Sequence, residues 1–406
     1  RLPETGVMSG LISVDEALAL LAQHALTLPV QTVPLSAALG ARLAAPVTAK
    51  VSRPPAAVSA MDGYAVQLSD VGVPSARLRV IGDAPAGRPF EGAVGKGEAL
   101  RIFTGSVIPE GADHVVIQED ADRNDDTLVC RKAYDEAQFI RAVGIDFAEG
   151  DVLLNAGDLV SAAGLSIAAA ANRGTLNIYR RPRVGILANG DELRAPGSVL
   201  EPGQIVNSNP EGLGALVRQW GGEPVDLGVA DDTMDSIRAR IDAAPEIDIF
   251  LPVGGASVGD HDLMRPAFAD AGFTPVFEKV AVKPGKPTWF STRGDQRVLG
   301  LPGNPASAFV CAHLFLKPLI EGGKRRALVN ARSVSALPGP GRRETYLRAH
   351  VHADADGVLR VEAAVNQDSS LIRPFLKANG LIRRLADAPP AAAGDPVQVL
   401  MIAPLE

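Results

Sequence analysis

Cysteine is nearly absent: the chain has two in 406 residues, Cys130 and Cys311. They lie far apart and form no CxxC pair, which excludes a disulfide framework and a thiolate metal site and fits a reducing cytoplasm. Long apolar runs are missing as well. The longest, near Leu165 to Ala171, is Ala-rich and too short to cross a bilayer, and no charged-then-apolar signal segment opens the chain. There is no excess of positive charge. The net charge is −7, and the 40 basic residues are dispersed, whereas a nucleic-acid binder needs clustered Lys and Arg. HExxH, GxSxG and a GxGxxG after a strand do not occur, and GGASVG (254–259) lacks the Gly-Lys-Ser/Thr ending of an ATPase phosphate loop. What remains is 46% hydrophobic and 21% charged, too apolar for general disorder and long enough for two to four globular domains. Leu2 to Gly6 read LPETG, a sortase pentapeptide without the apolar tail that such a signal precedes. Residues 1 to 7 are therefore expected to be an added leader, with Met8 as the natural start.

Texture divides the chain. Ser13 and Glu16 form a capping box that opens a helix with Leu18, Leu21, Ala22 and Ala25 on one stripe. Short β-type runs broken by Gly, Pro and Asp-Asp turns fill 53–141. A helix is expected from Ser161 to Arg173, ended by Gly174, and the YRRPR segment (179–183) reads as a hinge. From Arg183 to about Gly323 strands and helices alternate, which predicts a doubly wound, mostly parallel α/β sheet. The tail returns to β-type runs, a small barrel or sandwich. The predicted domains are 8–52 with 142–181 (helical and linking), 53–141 (inserted, β-rich), 182–328 (α/β) and 329–406 (barrel-like).

In an open α/β sheet, ligands bind beyond the carboxyl ends of strands where strand order switches. The junctions here are rich in carboxylates: Asp191 and Glu192 after RVGILAN, Asp231 and Asp232 after VDLGVA, Asp260 and Asp262 after IFLPV. Singly, each reads as a solvated turn or cap, and Asp232 is expected to be a helix N-cap. Asp191, Glu192, Asp231 and Asp262 together suggest an Mg²⁺-binding crevice, because a hard cation takes several oxygen ligands plus substrate phosphate. Next to them, alternation in VFEKVAVKPGKP places Phe277, Lys279, Ala281 and Lys283 on one strand face, the two lysines roughly 13 Å apart. They would hold two anionic parts of an elongated substrate, with Lys286 reaching from the Pro284-Gly285 turn. In LPGNP, Asn304 as N-cap and Pro305 as first helical residue would turn the amide of Gly303 and the helix end toward an anion. His261 is expected at the surface or in a cap, and His350 and His352 share a strand face without a third metal ligand.

SAMDGYAV (59–66), GEALRIFTGSVIPEGADHVVIQED (97–120), GDEL (190–193), GGASVGDHD (254–262), KPGKP (283–287) and LPGNP (301–305) occur together and in this order. The set closely resembles the MoeA family, the molybdopterin molybdenumtransferases, which include the C-terminal part of gephyrin. The resemblance runs over essentially the whole chain from Met8. It departs at Ala188-Asn189, where the family usually has Ser-Thr, at Ala256, often Val, and at Leu263, commonly aromatic.

The resemblance implies the last step of molybdenum cofactor synthesis: molybdate enters the dithiolene of adenylylated molybdopterin, and the pyrophosphate link is cleaved to release AMP. It implies an elongated four-domain homodimer whose cleft is shared between the α/β domain of one subunit and the β-rich domain of the other, and contact with the molybdopterin adenylyltransferase. Carried over by motif, the catalytic positions are Asp62, Thr104, Glu192, Asp231, Asp262, Lys279 and Lys283. Those binding the pterin and its phosphates are Gly254, Gly255, Ser257, Lys286, Gly303, Asn304, Arg348 and Ser369. Mg²⁺ would sit on Glu192, Asp231 and Asp262. The alternatives are a non-catalytic scaffold of the gephyrin kind, or a paralogue that inserts tungstate or serves one dedicated enzyme.

Overall fold

The computed structural model describes residues 8–254 and 263–405. It forms two compact units, one spanning Val30–Tyr179 and the other holding the remaining described residues. The division falls inside the YRRPR segment. Among the described residues no helix is long and apolar enough to cross a membrane.

The Val30–Tyr179 unit is framed by an antiparallel pair, Val30–Pro34 with Thr175–Tyr179, packed with the helix Ala162–Ala170 around Leu43, Val47, Leu176 and Ile178. Ser161 caps that helix by accepting from the Gly164 amide. The helix ends before the expected Gly174 stop, because Asn172, at φ +60°, takes the left-handed position. The amides of Asn172 and Arg173 close on the carbonyls of Ala169 and Ala168. Between these pieces lies a six-stranded sheet whose middle strands are Gly63–Val66, Glu98–Ile102 and Arg77–Ala84. In the last of these Leu78 and Val80 point into the core while Arg77 and Arg79 face solvent, the alternation of a half-buried strand.

In the second unit we label β1 (Met8–Ile12), α1 (Val14–Gln23), β2 (Arg183–Asn189), α2 (Asn209–Gln219), β3 (Glu223–Ala230), α3 (Met234–Asp242), β4 (Ile249–Val253), α4 (Met264–Asp270), β5 (Thr274–Val280), β6 (Val282–Lys283), β7 (Trp289–Arg293), β8 (Gln296–Gly300) and α5 (Pro305–Cys311). The sheet order is β1-β5-β7-β8-β4-β2-β3. β8, β4, β2 and β3 are parallel, and β7 runs antiparallel to both neighbours. β4 is buried along its whole length, as a strand covered on both faces must be.

The capping box is present: Ser13 Oγ accepts from the Glu16 amide at 3.1 Å, and Glu16 Oε2 accepts from the Ser13 amide at 2.7 Å. α1 buries Val14, Ala17 and Leu21 in the same core as Phe277, Phe290 and Leu299. Each such buried apolar side chain contributes about 1.5–3 kcal/mol, so residues 8–29 go with the α/β sheet rather than with the 142–181 segment assigned to them from sequence.

The C-terminal strands β9 (Val329–Ser333), β10 (Glu344–Ala353), β11 (Leu359–Ala363), β12 (Gly380–Arg384) and β13 (Pro396–Met401) run β10-β11-β9-β13-β12, and β12 pairs back onto β10. The ring closes, which makes this a barrel rather than a sandwich. β6 adds to it alongside β10, Lys283 opposite Thr345. The chain therefore leaves the α/β sheet after Val280 and enters the barrel sheet two residues later.

Candidate functional site

The chain passes from β2 to β3 on one side and returns to β4 on the other, so strand order switches between β2 and β4. At that point a cavity of about 670 Å³ opens, lined by Asn189, Glu192, Val253, Gly254, Gly303 and Asn304 among others. Gly254 is at φ +102°, and a Cβ there would lie 2.8 Å from the Asn189 carbonyl, so only glycine lets the ends of β2 and β4 approach this closely. Gly303 packs on it, its own hypothetical Cβ 3.3 Å from Gly254 Cα.

A second cavity of about 650 Å³ shares Pro287, Pro302 and Asn304 with the first. Its walls carry Lys283, Lys286, Arg343 and the 366–369 loop. The two cavities form one elongated cleft, carboxylate-bearing at Glu192 and cationic at the KPGKP turn. Gly285 sets that turn: it sits at φ +119°, and a Cβ would meet Cys311 Sγ at 2.1 Å. Thr288 Oγ1 donates to the Gly285 carbonyl at 2.8 Å.

Among the described residues, Asp191, Glu192 and Asp231 do not converge as the strand-end pattern suggests. Glu192 is exposed and faces the first cavity. Asp231 turns back to α3, its Oδ2 accepting from Ser236 Oγ at 3.3 Å and its amide donating to the same hydroxyl at 3.0 Å. Asp191 Oδ1 accepts from the Asp232 amide at 3.0 Å. The N-cap of α3 is Thr233, which accepts from Ser236, and not Asp232. Gly255, Ser257, Asp260, His261 and Asp262 lie outside the described residues. Among the described residues no three His, Cys, Asp or Glu side chains form a metal-holding group. Mg²⁺ characteristically needs only one or two carboxylates beside phosphate and water, and the open Glu192 meets that smaller requirement.

The lysines also differ from expectation. Phe277, Val280 and Val282 are all buried, so alternation breaks where the chain changes sheets. Lys283 is thereby exposed on the cleft beside Lys286, while Lys279 lies opposite Leu11 on β1 and lines neither cavity.

Arg348 departs from expectation too. It is 1% exposed, and its guanidinium donates to the carbonyls of Leu371 (2.6 Å), Asp368 (3.0 Å) and Asn366 (3.4 Å) and to Gln367 Oε1 (3.2 Å). Burial pushes its pKa down, opposed by the nearby Asp368. Arg348 thus does not offer its charge to the cleft; it holds the loop that carries Gln367 and Ser369 there. Asn304 makes no side-chain cap. Its Nδ2 donates to Ser369 Oγ at 3.1 Å, and the Ala306 amide is taken by the Ser369 carbonyl, so part of the α5 end is already occupied by the 366–369 loop.

Asp62 and Thr104 meet in the Val30–Tyr179 unit. Asp62 Oδ1 accepts from the Thr104 amide (2.8 Å) and hydroxyl (2.9 Å), which, the amide first, hold the carboxyl below its ordinary range. Arg101 lies over the rings of Phe103 and Tyr64 beside them. His350 and His352 stack at 5.6 Å on the barrel, away from the cleft.

Three cleft residues were not singled out from sequence. Asn189 is buried, and its Nδ2 donates to the carbonyls of Ala230 and Asp231, tying β2 to β3. Asn209 donates to the Gly303 carbonyl and leaves its Oδ1 buried without a partner. Arg343 sits in an unpatterned GRRE run. The departure from the family pattern at Ala188-Asn189 was the one signal available for Asn189.

Three family models match the chain in order: the MoeA N-terminal region (domain I and II) over residues 12–172, a probable molybdopterin binding domain over 185–322, and the MoeA C-terminal region (domain IV) over 330–402. Among curated relatives, the molybdopterin molybdenumtransferase of a Nostoc species is 37% identical, over 84% of this chain and 81% of its own length. That of Bacillus subtilis is 31% identical over 96% of this chain and 94% of its own. The crystal structure of the molybdopterin biosynthesis MoeA protein from Pyrococcus horikoshii superposes with a TM-score of 0.82 at 26% identity, over 97% of this chain and 100% of that one.

Proposed function

The chain belongs to the MoeA family, the molybdopterin molybdenumtransferases of molybdenum cofactor biosynthesis, and from that premise we propose that it inserts molybdate into adenylylated molybdopterin with release of AMP. The observation that carries this reading is the single elongated cleft with Glu192 at one end and Lys283, Lys286 and Arg343 at the other. Molybdate and a pyrophosphate are both anions. Each charge-assisted hydrogen bond from a cleft cation contributes about 1.5–3 kcal/mol. The partnerless Asn209 Oδ1 would accept an N–H of the pterin, leaving the adenylyl-pyrophosphate to extend toward the KPGKP turn.

In this reading Glu192 would hold Mg²⁺ beside the substrate phosphate. Bound there, the ion would neutralise and polarise the pyrophosphate. The chain's own residues do the rest: Lys283 and Lys286 hold the anions in place, and the wall made by Pro287 and Pro302 limits water at the reacting bond. Asp262 is kept as a further candidate ligand. The active form is proposed to be a cytoplasmic homodimer in which Asp62 and Thr104 of the partner copy complete each cleft and which receives its substrate from the molybdopterin adenylyltransferase.

The decisive assay is AMP release from adenylylated molybdopterin, with molybdate and tungstate in competition and Mg²⁺ varied. The expected result is molybdate- and Mg²⁺-dependent release that Glu192→Gln abolishes. No release with either oxyanion would sink the catalytic reading and leave a scaffold, and a preference for tungstate would assign the paralogous one.

A further inference from the structure

On the far side of Tyr346 from the cleft, a small cavity of about 130 Å³ is lined by α1, the helical stretch 313–318, segment 325–328 and barrel strands β10, β12 and β13. Arg325, Arg326 and Arg383 line it. Two carboxylates answer these three guanidinium groups. Asp15 lies 3.1 Å from Arg325 and 3.6 Å from Arg383, and Glu344 lies 2.6 Å from Arg383. Arg326 is the one left over. Its Nη2 donates to the Met401 carbonyl, but its Nη1 is buried with no hydrogen-bond partner. The carboxylate whose charge acts on it, Glu321, is shared with Lys317 at 3.9 Å.

His313 adds a second orphan. It is 3% exposed, and its Nδ1, like Arg326 Nη1, is buried without a partner. Burial, then the charges of Arg326 and Lys317, push its pKa down to about 3, so the ring is neutral at physiological pH and Nδ1 is able to carry a donated proton. The remaining walls are aliphatic: Leu18, Leu314, Pro318, Leu328 and Leu400.

A desolvated guanidinium N–H without an acceptor costs several kcal/mol, more when the charge has no counter-ion. One uncompensated positive charge calls for one negative charge, and the aliphatic walls call for an apolar body behind it. At about 30 Å³ per water-sized group the space admits about four such groups, enough for a carboxylate with a short aliphatic chain. We propose that this cavity binds a small aliphatic monocarboxylate, its carboxylate drawn to Arg326 and His313 and its chain lying on Leu18, Leu314 and Leu328. Tyr346 is the wall that this cavity shares with the cationic end of the cleft, so the test must separate the two sites.

Isothermal titration of the full chain with sodium butyrate, and with n-butanol as the uncharged control, reads the site directly. Saturable butyrate binding is expected in the wild type and in the cleft variant Lys283→Met/Lys286→Met, with none for n-butanol. Arg326→Met should weaken it at least tenfold. Leu18→Phe, which fills the space and leaves Arg326 in place, should abolish it and decides the matter if Arg326→Met does not fold. A wild type without saturable butyrate binding, hence a cavity holding only water, overturns the proposal. So does butyrate binding that is lost in the cleft variant or kept in Leu18→Phe.

Discussion

Replacing Arg348 by lysine separates two roles that the sequence alone does not distinguish. If the side chain presented a positive charge to the substrate, lysine would keep the charge and much of the activity, with stability untouched. The structure assigns it a different task. Its fork reaches four acceptors on the 366–371 loop, and a lysine ammonium on a flexible stem satisfies one or two of them. The well-placed carbonyls of Leu371 and Asp368, at 2.6 and 3.0 Å, are the ones at stake. A part-buried carbonyl left without a donor costs about 1–3 kcal/mol, so losing both would take about 2–6 kcal/mol from the barrel in Arg348→Lys. The loop carrying Gln367 and Ser369 would loosen with it. The measurement is a denaturant unfolding curve paired with KM and kcat for AMP release. The expected pattern is a lower midpoint and a raised KM, with Arg348→Met no better than Arg348→Lys. Unchanged stability in Arg348→Lys, with activity retained, would refute the positioning role and return Arg348 to direct contact.

Lys283→Met and Lys286→Met should each raise KM about tenfold, because both side chains are exposed and the charge-assisted bonds they supply fall at the weak end of their range; an unaltered KM in both would remove the cationic end from substrate binding. Gly285→Ala forces a Cβ into Cys311 Sγ at a backbone conformation that L residues avoid, which should cost about 3 kcal/mol, or roughly 6–12 °C in Tm for a unit of this size. Adding Cys311→Ala should recover part of it, and a single variant as stable as wild type contradicts the packing argument. Thr104→Ala should raise the Asp62 pKa toward its ordinary 3.8, followed by NMR titration of the carboxyl carbon. Since the folded value is depressed, the pair's contribution to stability is full above about 3.8 and disappears as pH falls through the lower folded value. A titration that Thr104→Ala leaves in place would show that the hydroxyl hydrogen bond adds nothing to the amide's effect.

Local signals in this sequence reported faithfully on local structure. The Ser13 to Glu16 capping box, the apolar run of β4 and the Ser161 cap each depend on contacts within a few residues, and each is found where the pattern put it. What the pattern could not contain is a change of partner. The run from Thr274 to Lys283 reads as one strand by its alternation, yet the chain bends at Ala281 and its pairing passes from β1 at Val280 to β10 at Val282. That break sends Lys279 and Lys283 to different surroundings. Arg348 was assigned to the phosphates by its motif alone, and only the distant loop 366–371 supplies the acceptors that let it be buried. Asp231 likewise looked free until Ser236, one helical turn on, was seen to hold it.

The same change of partner explains why the cleft has two chemically distinct ends. Its carboxylate end is built from the ends of β2 and β4, where parallel strands inside a covered sheet leave only their terminal loops to face a ligand. Its cationic end is built on β6, which follows β5 in the chain but pairs with β10, so Lys283 is positioned by Thr345 of the barrel. The turn between Lys283 and Pro287 is locked from below by Cys311 and Thr288, which belong to the α/β core. Barrel and sheet therefore fix opposite sides of one short segment, and neither could be displaced without moving the cations relative to Glu192. A ligand spanning from Asn209 to Lys286 thus tests the packing of both at once, which is the physical reason to expect that substitutions inside the barrel, far from any reacting atom, will be felt first in KM.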